Sequence, residues 1–141
     1  MGKKILIMGL PGSGKTTLAS KLKLKINAVW INADQVRKEA NDWDFSAEGR
    51  VRQSLRMKKI SDEIIDNGKH VIADFICPTP QTRSDFYADC LIWMDTIKEG
   101  RFDDTNKIFV PPEKFIFRVP TKNADYWTDK IIKKMEEEKI I

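Results

Sequence analysis

The chain is poor in the residues that metal cages, disulfide frameworks and imidazole chemistry require. It has one histidine, His70, and two cysteines, Cys77 and Cys90. Neither cysteine lies in a C-x-x-C or zinc-ligand spacing, so the expectation is reduced thiols in a cytoplasmic protein. A lone histidine without a nucleophile or metal partner is read as structural. No apolar run approaches the ~20 residues that cross a bilayer, which argues against a membrane partner. The chain enters its first apolar run at Lys4, so no secretory leader is expected. Charge is not strongly one-sided either: the net +4 favours anionic ligands without naming nucleic acid. Repeats, low-complexity tracts and linkers are missing. At 141 residues the expectation is one domain, residues 1–141, with a single core.

What the chain does have is a complete G-x-x-x-x-G-K-[ST] pattern. Gly9-Leu10-Pro11-Gly12-Ser13-Gly14-Lys15-Thr16-Thr17 follows the strand-like run Lys4–Met8 and precedes a helical stretch, Thr17 to Lys25. Strand, glycine loop and helix together make this a phosphate-binding loop. Glycines let the backbone approach a polyphosphate, and successive N–H groups form an anion nest at the helix N-terminus. Lys15 supplies a point charge for the β- and γ-phosphates, and the Thr16 hydroxyl suits a Mg²⁺ ligand. Gly9, Pro11, Gly12, Ser13, Gly14, Lys15, Thr16 and Thr17 are the expected ATP-binding set.

Further apolar runs alternate with helical ones. Ala28–Ile31, His70–Ile76, Cys90–Met94 and Phe115–Val119 read as strands. Helices are expected from Gln35 to Ala40, Glu48 to Asn67, Gln81 to Asp89 and from an Asn123 cap to about Glu138. In the long helix Val51, Leu55, Ile60 and Ile64 form the expected apolar stripe, with Arg52, Arg56 and Lys59 on the other face. Trp30, Trp93 and Trp127 lie on apolar runs and are expected in the core. The pattern implies an α/β fold of the P-loop NTPase kind, a three-layer sandwich with a five-stranded, mostly parallel sheet between helices. Residues 97–114 are the least regular stretch and the expected lid.

Two carboxylates follow strands. Asp34 sits at or beside a helix cap on a sheet's carboxyl edge, where it either caps or orients the hydroxyl that attacks the γ-phosphate. Asp74 ends the third apolar run and is the expected second Mg²⁺ ligand beside Thr16. A GTPase switch is disfavoured: no Asp is followed by Gly three positions on, and Asn106-Lys107 lacks the guanine-reading Asp.

The order of motifs resembles the adenylylsulfate kinase family, which phosphorylates the 3′-hydroxyl of adenosine 5′-phosphosulfate with Mg-ATP in sulfate assimilation. The family's G-L-x-G-x-G-K-T-T corresponds to Gly9–Thr17, its D-G-D-N-V-R to Asn32–Arg37, and its D-L-G-F-S to Asp42–Ser46. Its F-I-S-P corresponds to Phe75–Pro78 and its V-D-T to Met94–Thr96. The resemblance implies that Lys15 and Asp34 are catalytic and that Arg37, Arg50 and Gln53 hold the phosphosulfate. It also implies that Phe45 and Phe102 sandwich the acceptor adenine, with Phe75 among the substrate-binding residues. Three departures stand out. Asn32 replaces the first family Asp, and Asp74 stands where a small hydroxyl residue is usual. Ile97–Arg101 replaces a long basic lid helix, leaving Lys98 or Arg101 to cover the transferring phosphate. The alternatives are a kinase of the same fold acting on a nucleoside, sugar or polynucleotide, the last served by the basic helix face, and a nucleotide-binding module without turnover. A homodimer is compatible with the chain, whose sequence fixes no oligomeric state.

Overall fold

The computed structural model describes residues 2–141. In chain order the elements are β1 Lys4–Met8, α1 Lys15–Ile26, β2 Val29–Asn32, α2 Ala33–Ala40, α3 Ala47–Asp66 and β3 Val71–Asp74. They continue as α4 Pro80–Phe86, β4 Cys90–Met94, α5 Asp103–Ile108, β5 Phe117–Val119 and α6 Ala124–Glu137. The strands form one five-stranded sheet in the order β2-β3-β1-β4-β5, and every pairing is parallel. The expected α/β sandwich is therefore what forms.

β1 shows why. All five of its residues are buried, as a central parallel strand covered on both faces requires. Ile5 and Ile7 face a cluster with Leu18, Leu22, Ile92, Ile131 and Met135, from α1, β4 and α6. Leu6 and Met8 face the opposite cluster of Val36, Met57, Phe75 and Phe86. Each fully buried aliphatic or aromatic side chain contributes about 1.5–3 kcal/mol, so the two layers are held by comparable apolar faces. The strand order reverses at β1, with β3 on one side and β4 on the other. Open α/β sheets bind ligands outside the carboxyl ends of strands at such a switch point. That edge carries the phosphate loop after β1, Asn32 at the end of β2 with Asp34 just beyond it, and Asp74 at the end of β3.

Several local expectations shift. The buried face of α3 is not the Val51, Leu55, Ile60, Ile64 stripe. It carries Gly49, Arg50, Gln53, Ser54, Met57 and Ser61, and Leu55 is 49% exposed. Here function overrides hydrophobic periodicity, because the helix faces its polar residues toward the sheet's carboxyl edge. Trp30, Trp93 and Trp127 are half-buried and pack against the core from its margin. Asn123 caps α6 through Tyr126 N–H (3.3 Å), as the sequence indicates. His70 accepts a hydrogen bond from Lys3 N–H at Nδ1 (3.1 Å), a structural role. No described helix is long and apolar enough to cross a membrane.

Candidate active site

The loop between β1 and α1 turns tightly, with Ser13 N–H donating to the Leu10 carbonyl (3.1 Å). Gly14 precedes the helix in a left-handed conformation at φ 101°, which a side chain would strain. From the end of β4, Thr96 Oγ1 donates to the Ser13 carbonyl (2.7 Å) and anchors the loop to the sheet. Lys15 Nζ donates to the carbonyls of Gly9 (3.1 Å) and Leu10 (3.0 Å), so the ammonium lies across its own loop. Burial lowers its pKa from the ordinary lysine value. Asp74 and Asp34 oppose that shift, and Arg101 adds to it.

Beside the lysine, three elements converge on one oxygen. Asp74 Oδ2 accepts from Thr16 Oγ1 (2.9 Å) on α1 and from Asn32 Nδ2 (3.0 Å) on β2. Asp74 is 2% exposed, and burial pushes its carboxyl above the usual range. The Asn32 amide, the Lys15 charge and the Thr16 hydroxyl counter only part of that rise. A hydroxyl and a carboxylate in contact form a hard-oxygen donor set that fits Mg²⁺, which takes few protein ligands and shares the rest with phosphate and water. Among the described residues no three His, Cys, Asp or Glu side chains gather into a larger metal cage.

The opposite wall is built by α2, the 41–46 loop and α3. Asn32 caps α2, its Oδ1 accepting from Gln35 N–H (3.2 Å). Asp34 is therefore not the cap; it sits exposed on the first turn with its carboxylate free for another task. Arg37 is buried, and its Nη1 donates to the carbonyls of Asp42 (2.9 Å) and Asp44 (3.1 Å). Arg50 Nε donates to the Phe45 carbonyl (2.9 Å) and its Nη2 to Thr105 Oγ1 (3.0 Å). The two guanidinium groups lie 4.3 and 5.5 Å from the centre of the Phe45 ring. A guanidinium has five N–H donors, so each retains unused ones. Gln53 Nε2 ties α3 to the Ala33 carbonyl (3.1 Å).

The loop that carries Trp43 and Phe45 is clamped through Asp42. Arg52 grips that carboxylate with two bonds (2.8 and 3.1 Å), and Arg56 adds a third (2.7 Å). Gly49 is needed beneath it, because a Cβ there would lie 2.1 Å from the Asp44 carbonyl oxygen. The two arginines hold the Asp42 carboxyl well below the usual carboxylate range. A depressed folded-state pKa stabilises above the unfolded value of about 3.9 and is lost only as pH falls through the folded one. The clamp is thus intact throughout the neutral range. Asp42→Asn is expected to loosen this wall and not the phosphate loop: hydrogen-exchange protection of the amides in residues 41–46 should fall about tenfold while that of residues 9–14 stays within about twofold. Amide exchange followed segment by segment checks this.

These walls enclose a cavity of about 510 Å³. Of the residues singled out from sequence, Pro11, Gly12, Lys15, Thr16, Asp34, Arg37, Phe45, Arg50, Gln53, Asp74, Phe75 and Phe102 line it. Gly9, Ser13, Gly14 and Thr17 shape the loop without lining the cavity. Phe75 is 6% exposed and packs edge-on against Phe86, so it serves chiefly as floor. Trp43, Asn32 and Thr105 also line the cavity and are not among the site residues expected from sequence. The signal for Trp43 was its place beside Phe45 in a polar connection; nothing local marked Thr105. Of the two lid cations, Arg101 reaches the cavity and Lys98 does not. Asn106 exchanges two hydrogen bonds with the Gly100 backbone (2.8 and 3.0 Å), and a Cβ at Gly100 would come within 3.1 Å of Pro11, so this segment packs close to the phosphate loop.

The family profile described as adenylylsulphate kinase matches residues 1–91. An adenylyl-sulfate kinase of Phocaeicola vulgatus is 33% identical over 88 residues, covering 58% of this chain and 43% of that protein. Adenylyl-sulfate kinase 3 of Arabidopsis thaliana is 34% identical over 88 residues, covering 58% and 42%. The match spans less than half the length of these curated relatives. Among solved structures, an APS kinase of Mycobacterium tuberculosis in complex with AMPPNP and APS superposes with a TM-score of 0.75 at 19% identity, over 96% of this chain and 98% of that one. A shikimate kinase of Aquifex aeolicus gives 0.69 at 17% identity, over 97% and 98%. At such identities structural likeness speaks for the fold, which kinases of different acceptors share. The sequence match carries the assignment, because it runs from the phosphate loop through Asp34, Arg37, Phe45, Arg50, Gln53 and Asp74, every cavity wall except the lid. On that match the chain belongs to the adenylylsulphate kinase family.

Proposed function

We propose that residues 1–141 act as one kinase domain that moves the γ-phosphoryl group of ATP to the hydroxyl of an anionic, ring-bearing acceptor, with adenosine 5′-phosphosulfate the first candidate. The observation that carries this reading is the convergence on one cavity of Lys15, the Thr16–Asp74 contact, Asp34 and two buried guanidiniums flanking Phe45. The solved relative complexed with AMPPNP and APS supports the same pair of ligands.

The chain's own residues divide the work by position. Loop N–H groups and Lys15 hold the β- and γ-phosphates, so the nucleotide is aimed before any bond changes. Thr16 and Asp74 would hold Mg²⁺, whose chemistry when bound is to neutralise phosphate charge. Asp34 faces the acceptor hydroxyl, orienting it and taking its proton as the oxygen attacks. Arg37, Arg50 and Gln53 hold the acceptor's anionic group, and Phe45 and Phe102 stack on its ring. Arg101 covers the transferring phosphate in place of a longer lid. A cover this short excludes water poorly, so slow ATP hydrolysis without acceptor accompanies the reading.

A polynucleotide acceptor is less well supported. The basic α3 face that would serve it is already engaged, because Arg52 and Arg56 are paired to Asp42 and Arg52 also to Asp44 (3.1 Å). The deciding experiment is product formation from Mg-ATP with adenosine 5′-phosphosulfate, nucleosides, gluconate, shikimate or single-stranded DNA. Turnover with DNA alone, falling steeply with salt, would overturn the reading. Asp34→Asn is expected to lower kcat about 10²–10⁴-fold. Its melting temperature should move by no more than about 2 °C, since Asn32 and not Asp34 caps α2. Kinetics paired with a thermal melt tests both halves.

A further inference from the structure

Asn32 and Asp74 are opposite members of the β2–β3 pairing, and both side chains meet at Thr16.

The geometry fixes both side chains. Asn32 Oδ1 accepts from Gln35 N–H (3.2 Å), which turns Nδ2 toward Asp74 Oδ2 (3.0 Å) and Thr16 Oγ1 (3.5 Å). Both ends of the amide are therefore specified. A flipped amide would lose the cap and set oxygen against oxygen. An aspartate at 32 would keep the cap but bring two carboxylates within hydrogen-bonding distance with no proton between them. Asn32 is the residue type that satisfies α2 and Asp74 at once.

We propose that Asn32 is a positioning residue and that Asn32 and Asp74 form one functional unit, in which the β2 amide orients the β3 carboxylate beside Thr16. Resting on the kinase reading above, the unit has a second consequence. Asn32 links the start of α2, which carries Asp34, to the carboxylate beside Thr16. The phosphate end and the acceptor end of the cavity are thereby held in a fixed relation by one side chain. Groups that orient a ligand of a metal change its affinity about 10–100-fold when removed.

The test uses four variants of the full chain: Asn32→Ser, Asn32→Asp, Asp74→Ser and the exchange N32D/D74S. Mg²⁺-dependent binding of AMPPNP by calorimetry, and the thermal shift produced by Mg²⁺ with AMPPNP, are read alongside turnover. Serine at 32 keeps a capping oxygen and loses the amide donor. It is expected to keep the α2 cap, to melt about 3–6 °C below the parent without Mg²⁺ because Asp74 loses a donor, and to raise the Mg²⁺ half-saturation about tenfold. Asn32→Asp should lower the melting temperature without Mg²⁺ and recover it when Mg²⁺ is added. Asp74→Ser should weaken Mg²⁺-dependent binding by about tenfold or more. The exchange should bind within about fivefold of the parent, better than Asp74→Ser alone, because the carboxylate is back in the unit on the other strand. An exchange variant as weak as the product of its two single effects would overturn the coupling, and so would an unaltered Mg²⁺ response in Asn32→Ser. A parent chain with no Mg²⁺-dependent nucleotide binding would overturn the kinase reading itself and this inference with it.

Discussion

Lys15→Ala is expected to reduce phosphoryl transfer by at least about 10³-fold while the protein keeps its fold. The magnitude follows from the job. A loose transition state spreads negative charge over the equatorial oxygens, and a single well-placed cation there is worth about 10³–10⁵ in rate. Arg101 does not replace it, because it belongs to the lid and not to the loop that sets the phosphate's position. The stability side is a near-balance of opposing effects. Truncation removes hydrogen bonds to the Gly9 and Leu10 carbonyls, each worth about 1.5–3 kcal/mol when the donor is charged. It also removes a half-buried ammonium whose pKa is lowered because burial outweighs the attraction of Asp74 and Asp34. For a lysine with a lowered folded-state pKa, the folded state is favoured more as pH rises through the window between the folded and unfolded values. Below that window the cost of the buried charge is borne in full, so its removal at neutral pH offsets the lost bonds. The melting temperature should stay within about 4 °C of the parent. A thermal melt beside an ATP-turnover assay decides it. A protein that no longer folds would mean that Lys15 holds the loop together rather than the phosphate.

The half of the site that follows strands was legible from sequence, and the half that follows tertiary packing was not. The glycine loop is a local device: its residue types, its strand before and its helix after lie within one short stretch, so reading it required no knowledge of neighbours. Asp34 and Asp74 were legible for a related reason. Each ends an apolar run, and a parallel sheet brings the ends of such runs to one edge whatever the helices do. Asp34 was ambiguous between cap and catalyst because both readings put a carboxylate at a helix start. The structure removes the cap reading, because the side chain of Asn32 two residues earlier takes the cap. The α3 stripe failed for the opposite reason. Periodicity assumes that the buried face is the apolar one, whereas α3 turns Arg50, Gln53 and Ser54 inward to form a wall of the cavity. The Arg50–Thr105 bond joins residues 55 positions apart, and nothing local in either segment announces it. The basic face of α3 looked free for the same reason, since Asp42 and Asp44 reach it only after the loop folds back.

Asp74→Asn should separate stability from function more sharply than any other single change. Turnover is expected to fall by about 10² or more, because a neutral amide is a poor Mg²⁺ ligand and Thr16 alone cannot hold the ion against water. The melting temperature measured without Mg²⁺ should nonetheless rise by about 2–4 °C at pH 8. The reason is that Asp74 is almost fully buried and burial raises its carboxyl above the usual range despite the donors around it. For a carboxyl whose folded-state pKa exceeds the unfolded one, the folded state binds the extra proton. Stability then falls as pH rises through the window between the two values and stays lower above it. The asparagine does not titrate, and its Oδ1 can accept from Thr16 Oγ1 and Asn32 Nδ2 in place of Asp74 Oδ2. The stabilisation should therefore be present at pH 8 and shrink as pH falls through that window, toward zero once pH reaches the unfolded carboxylate value of about 3.9 and below. Melts of both proteins in EDTA across that range, with Mg²⁺-dependent turnover at pH 8, test the two effects separately. An asparagine variant no more stable than the parent at pH 8 would mean that Thr16, Asn32 and Lys15 fully compensate the buried charge. Full turnover in that variant would mean that the cation is held elsewhere.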